Sequence, residues 1–90
     1  FIVQNAGVNG NTTRQGLERI FYDVTSHQPT FVLIQFGMND CNRWDTDKGA
    51  PRVSRKAFVA NIEEIIEKCM LAGSKHCFLN TCTYRYVINI

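Results

Sequence analysis

At 90 residues this chain forms one small domain at most, able to bury roughly two thirds of the surface its unfolded form exposes. Hydrophobic residues at 44% and charged residues at 20% are globular values, which exclude a disordered or fibrous chain. The net charge of +2 comes from 10 scattered Lys and Arg against 8 Asp and Glu, so there is no basic stripe for nucleic acid, and no apolar run reaches the length of a membrane span.

Phe1-Ile2-Val3-Gln4 reads as the tail of a buried strand, and Asn9-Gly10-Asn11-Thr12 as the loop that leaves it. Thr12 or Thr13 can cap a following helix, and Leu17, Ile20, Phe21 and Val24 recur at spacings of three and four, which predicts an amphipathic helix from about Thr12 to Ser26. Pro29 closes the crossover before a strand over Phe31 to Phe36, whose β-branched, aromatic and long apolar side chains suit coverage on both faces. Gly37 ends that run. Residues 38–53 form a long polar loop containing Trp44, Gly49 and Pro51, and loops of this length in a compact domain are usually functional or disordered. Ser54 caps a second helix with the stripe Phe58, Ile62, Ile65, Ile66, Cys69 and Met70, Gly73 supplies its left-handed stop, and Cys77-Phe78-Leu79 starts a third strand. The order strand, helix, strand, helix, strand implies an α/β fold with parallel strands joined by right-handed crossovers.

In open α/β sheets, ligands sit beyond the carboxyl ends of the strands, and the Gly10 loop and the Gly37-Met38-Asn39-Asp40 segment both fall there. The Asn39 amide offers two N–H donors without a charge, so it can stabilise a developing oxyanion without being neutralised by it. Gly10 lets the backbone take positive φ and approach a ligand closely, which makes its N–H a second donor for the same anion. Asp40 accepts only when ionised, so its expected part is to orient neighbouring loop groups, and Asn9, Asn11 and Thr12 are expected to order the Gly10 loop through local hydrogen bonds.

These two segments, in this order, resemble the middle of an SGNH hydrolase, the GDSL esterase/lipase family, over most of residues 1–81. Gly10 matches that family's glycine block and Asn39 its Gly-x-Asn-Asp block. The resemblance implies a three-layer flavodoxin-like α/β/α sandwich and serine acyl transfer on a small-molecule, carbohydrate or lipid ester, with Gly10 and Asn39 in the oxyanion hole. The family's Gly-Asp-Ser and Asp-x-x-His blocks are not in these residues. The tail Tyr84–Ile90 departs from the family, which usually continues there into a loop and a long helix.

Ser26, Ser54 and Ser74 sit near helix ends rather than in a strained elbow, and neither His27 nor His76 stands in an Asp-x-x-His context, so none is assigned to the chemistry. Cys41 adjoins Asn39 but has no histidine beside it in sequence. Arg43, Trp44 and Asp45 line a substrate pocket or pin the loop. The four cysteines, Cys41, Cys69, Cys77 and Cys82, show no C-x-x-C pair and no zinc spacing, and they read as free thiols. Asp45-Thr46-Asp47-Lys48-Gly49 fails as a calcium loop because Lys56 stands where its bidentate glutamate belongs, so no metal and no cofactor is implied.

A complete doubly wound domain needs more strand–helix–strand units, at about 30 residues or more each, than this length supplies. Residues 1–90 are therefore expected to be a partial domain truncated at both ends and inert alone. The alternative reading is a non-catalytic flavodoxin-like binding module whose Gly10 loop holds an anion at a helix N-terminus.

Overall fold

The structure, a computed structural model, describes residues 3–80. Helices α1 (Thr13–Glu18) and α2 (Ile20–Asp23) and a 3-10 turn (Thr25–His27) precede strand β1 (Phe31–Gln35). A second 3-10 turn (Asp45–Asp47), helix α3 (Arg55–Leu71) and strand β2 (His76–Asn80) follow. The two strands pair in parallel, with Phe31 opposite His76 and Gln35 opposite Asn80. α3 is the connection between them, as a parallel pair requires.

α3 forms where the apolar stripe and the capping residue agree. Ser54 accepts from the Ala57 N–H at 3.2 Å, and Phe58, Ile62, Ile65, Ile66 and Cys69 are buried. Full burial of side chains such as Phe58 and Ile62 contributes about 1.5–3 kcal/mol each. Met70, expected in this stripe, lies outside it and is exposed, because it falls on the next flank of the helix. The helix ends in a Schellman motif: Gly73 at φ 103° donates to Met70 O and Ser74 to Cys69 O, at 3.0 and 3.1 Å.

The helix expected over Thr12 to Ser26 is broken. Arg19 sits at φ −109°, ψ 7°, between α1 and α2, and a further departure at Val24 leads into the 3-10 turn. Its guanidinium accounts for the interruption, being drawn to Ala6 O, Asn11 Oδ1 at 2.9 Å and Asp23 Oδ2 at 3.0 Å. The break turns Phe21 to solvent while Ile20 stays in the core and Leu17 and Val24 pack against it. The first strand fares differently: Val3 and Gln4 are exposed and in no strand, and Phe1 and Ile2 lie outside the described residues, as does the tail Tyr84–Ile90.

One face of the sheet is packed and the other is bare. Val32, Ile34, Cys77 and Leu79 join the core beside α3, whereas Phe31, Leu33 and Phe78 point the opposite way and are exposed among the described residues. Phe31 stacks on His76, with ring centroids 5.1 Å apart.

Candidate active site

β1 delivers the asparagine segment. After Gln35 the chain passes Phe36 and the buried Gly37 at φ 126°, then turns, with Cys41 N–H donating to Gly37 O at 3.0 Å. That turn sets Asn39, half-buried, beside the loop that precedes α1, where its Nδ2 donates to Asn11 O at 3.3 Å. An amide nitrogen carries two hydrogens, so this bond leaves one for another acceptor.

The Gly10 loop is a tight turn closed by Asn11 N–H on Val8 O at 3.2 Å. Gly10 occupies its third position at φ 85°, a place where a positive φ calls for glycine. Side chains from three different segments hold the turn by its acceptors. Arg19 takes Ala6 O and Asn11 Oδ1, Asn39 takes Asn11 O, and Arg52 Nη1 takes Gly10 O at 3.1 Å. The Gly10 N–H is exposed and donates to no described residue. Asn9 is exposed and its side chain makes no hydrogen bond among the described residues, so the order of the turn comes from Asn11, Arg19, Asn39 and Arg52.

Asp40 is fully buried and binds the start of α1. Its two oxygens accept from the Thr13 N–H at 3.0 and 3.2 Å, and Oδ2 accepts from the Thr13 hydroxyl at 2.5 Å. Asn61 of α3 donates to the same hydroxyl at 3.0 Å. Thr12 completes the cap: Gln15 N–H bonds its hydroxyl, and its own N–H bonds the Gln15 side chain at 2.8 Å. The N–H groups of Thr12, Thr13 and Gln15 at the start of α1 therefore have acceptors inside the chain.

The long loop closes on its own base. Arg52 N–H donates to Asn42 O at 2.8 Å, Val53 N–H to Asp40 O at 2.9 Å, and Arg43 bridges Pro51 in antiparallel fashion. Arg43 also pins the loop through Gly49 O at 2.7 Å, and Asp45 opens the 3-10 turn there. Trp44 lies under the Arg52 guanidinium, 4.5 Å from ring centroid to Cζ. With Thr12, Arg14, Gln15 and Asp47 this pair borders an open cleft of about 270 Å³.

Each serine is engaged elsewhere: Ser26 donates to Tyr22 O, Ser54 caps α3, and Ser74 donates to Pro29 O at 2.7 Å. None bonds to His27 or His76, and Cys41 donates to Met38 O rather than meeting an imidazole. Among the described residues no three His, Cys, Asp or Glu side chains gather as a metal site. Cys41, Cys69 and Cys77 are free thiols, while Cys82 lies outside the described residues.

A parallel α/β unit that gathers a glycine turn and an asparagine beyond its strand end belongs to the broad class that places ligands at that edge. The particular family follows from comparison. The chain belongs to the GDSL-like Lipase/Acylhydrolase family, whose profile matches residues 1–86. It is 36% identical over 80 residues to "Uncharacterized lipoprotein YqeF" of Bacillus subtilis, covering 89% of this chain and 32% of that protein. It is 32% identical over 76 residues to "Thioesterase 1/protease 1/lysophospholipase L1" of Escherichia coli K12, covering 80% of this chain and 36% of that protein. The chain thus spans about a third of the length of the curated relatives it matches. No solved structure gives a significant match.

Proposed function

We propose that this chain contributes the oxyanion hole of a serine ester hydrolase, with the Gly10 N–H and the second Asn39 Nδ2 hydrogen as donors. The reading rests above all on one observation: Asn39 reaches across to the Gly10 turn and bonds Asn11 O, while the Gly10 N–H is left with no described partner. The nucleophilic serine and its histidine base are supplied from outside residues 1–90. The serine Oγ attacks the ester carbonyl as the histidine takes its proton, and the carbonyl oxygen becomes an anion between the two donors. Collapse expels the alcohol or thiol, which is protonated by the same histidine, and water then releases the acid by the reverse sequence.

The substrate class is a small-molecule, carbohydrate or lipid ester, with thioesters included because the Escherichia coli relative is named for thioesterase and lysophospholipase activities. No nucleic acid partner is proposed. Asn39→Ala in the full-length protein should lower kcat on a p-nitrophenyl ester by about 100- to 1000-fold with KM little changed, since the donor meets charge that develops in the transition state. An unchanged kcat would show that the oxyanion lies elsewhere. The 90-residue chain by itself should turn over none of this ester.

A further inference from the structure

Arg52 lies between the segment that carries Asn39 and the Gly10 turn. Its backbone N–H is bonded to Asn42 O, the next residue's N–H to Asp40 O, and its guanidinium to Gly10 O. The first two bonds seat residues 52 and 53 against the segment that carries Asn39. The third spans 42 positions of sequence to the glycine turn. Arg52 therefore joins the two groups of donors, by its backbone on one side and its guanidinium on the other. Asn39 makes the parallel connection through Asn11 O, so two successive carbonyls, those of residues 10 and 11, are held from the asparagine side of the site.

Held carbonyls matter because Gly10 has no side chain to restrict it. Without a Cβ it samples positive and negative φ about equally, and flipping the turn would carry its N–H away from the oxyanion position. The observed φ of 85° is the conformer in which Gly10 O faces Arg52. A Cβ built at Gly10 meets nothing within 4 Å, so the turn is open on that side. The bonds to Gly10 O and Asn11 O hold the two peptides that follow the Gly10 N–H, and so set where the turn sits against the Asn39 segment.

Trp44 explains why the cation at position 52 is an arginine. The guanidinium Cζ lies 4.5 Å over the indole centroid, a cation–π contact that steadies the group whose Nη1 reaches Gly10 O. A lysine would keep the charge and a donor but lose the plane.

We infer that Arg52, steadied by Trp44, is a positioning residue that holds the Gly10 turn, and with it the Gly10 N–H, in place beside the Asn39 segment. The inference rests on the oxyanion reading of Gly10 and Asn39. Arg52 does not itself meet the reacting atoms; its effect reaches them through Gly10. A positioning loss of this kind should lower kcat by about 10- to 100-fold while substrate affinity is kept.

The test uses the full-length protein and p-nitrophenyl butyrate. Arg52→Ala should lower kcat by about 10- to 100-fold with KM within about twofold, and Arg52→Lys should recover only part of the loss. Trp44→Ala should give a smaller loss, and Arg52→Ala/Trp44→Ala no greater loss than Arg52→Ala alone, because Trp44 acts through Arg52. Should Arg52→Ala fail to fold, Arg52→Gln and Arg52→Lys carry the same comparison. A normal kcat in the Arg52 variants beside a collapsed kcat in Asn39→Ala would overturn the inference and leave the oxyanion reading standing. A raised KM with normal kcat would make Arg52 a substrate contact and overturn it too. A normal kcat in Asn39→Ala would remove the oxyanion reading and this inference together.

Discussion

Asp40 and Thr13 form a buried junction in which one carboxylate accepts both the backbone N–H and the hydroxyl that open α1. The junction fastens the turn after β1 to the helix after the glycine loop, tying together the segments that flank Asn39 and Gly10. Asn61 extends it to α3 by donating to the Thr13 hydroxyl. The carboxylate next to the candidate donor is thereby occupied in holding the scaffold.

Substitution should separate that role from chemistry. Asp40→Ala strands the buried Thr13 N–H and hydroxyl, and should cost about 3 kcal/mol or more, from hydrogen bonds to a charged group worth about 1.5–3 kcal/mol each. Asp40→Asn keeps one acceptor and should cost less, with a modest fall in kcat that tracks the fall in stability. Urea denaturation of the full-length variants measures the first quantity. A large loss of kcat with an unchanged urea midpoint in Asp40→Asn would instead make Asp40 a participant in the reaction.

Gly16 gives an independent test of how α1 meets β1. A Cβ at this buried position would stand 2.6 Å from Phe36 Cζ, against the tip of the ring that follows β1 and precedes the Asn39 turn. Alanine normally stabilises a helix relative to glycine by about 1 kcal/mol. Here overpacking should outweigh it: a clash in the upper part of the usual range, about 2–3 kcal/mol, leaves a net destabilisation of about 1–2 kcal/mol. Gly16→Ala/Phe36→Leu should restore most of the loss in a thermal melt. A Gly16→Ala variant as stable as the parent would show that α1 and Phe36 are further apart than described.

What sequence could and could not reveal follows from the range of the interactions. α3, its Ser54 cap, its Gly73 stop and both strands were legible because periodicity and capping are local. The break at Arg19 was not, since it depends on a side chain reaching Ala6 O and Asn11 Oδ1 from the far side of a turn. In sequence Arg52 is one of the scattered Lys and Arg, yet its partners are Trp44 and Gly10, and nothing in the local pattern marks a contact 42 residues away. Gly16 did leave a signal: a glycine inside a helical pattern is costly, and such a position often marks close packing. Asp40 was expected to orient loop groups, and the Thr13 partner is what sequence order alone could not supply.

The bare sheet face predicts behaviour of the chain in solution. Phe31, Leu33 and Phe78 are 62%, 70% and 55% exposed on one side of a parallel pair, an arrangement that parallel sheets normally cover. The 90-residue chain expressed alone should therefore self-associate and bind an apolar dye such as ANS. Leu33→Lys/Phe78→Lys should reduce both, read by light scattering and dye fluorescence. A monomeric, dye-silent parent chain would mean that this face is covered.

Cys69 and Cys77 impose a sign on the alkaline stability of the fold. Burial, reinforced by the neighbouring Cys77, pushes the Cys69 thiol up to about 11, and burial raises Cys77 as well. A thiol whose folded pKa exceeds its unfolded value near 9.0 favours folding while it stays protonated. Its contribution is complete below about pH 9 and is lost as pH rises through about 11, because the unfolded chain gives up the proton first. Tyrosines and lysines titrate in the same window, so the informative quantity is the difference between the parent and Cys69→Ala. In thermal melts of the full-length protein with a reductant present, the Tm of the parent should fall more steeply between pH 9 and 11 than that of the variant. Parallel slopes would show that Cys69 ionises as readily in the folded chain as in the unfolded one, and that its place on the buried face of α3 is wetter than its full burial indicates.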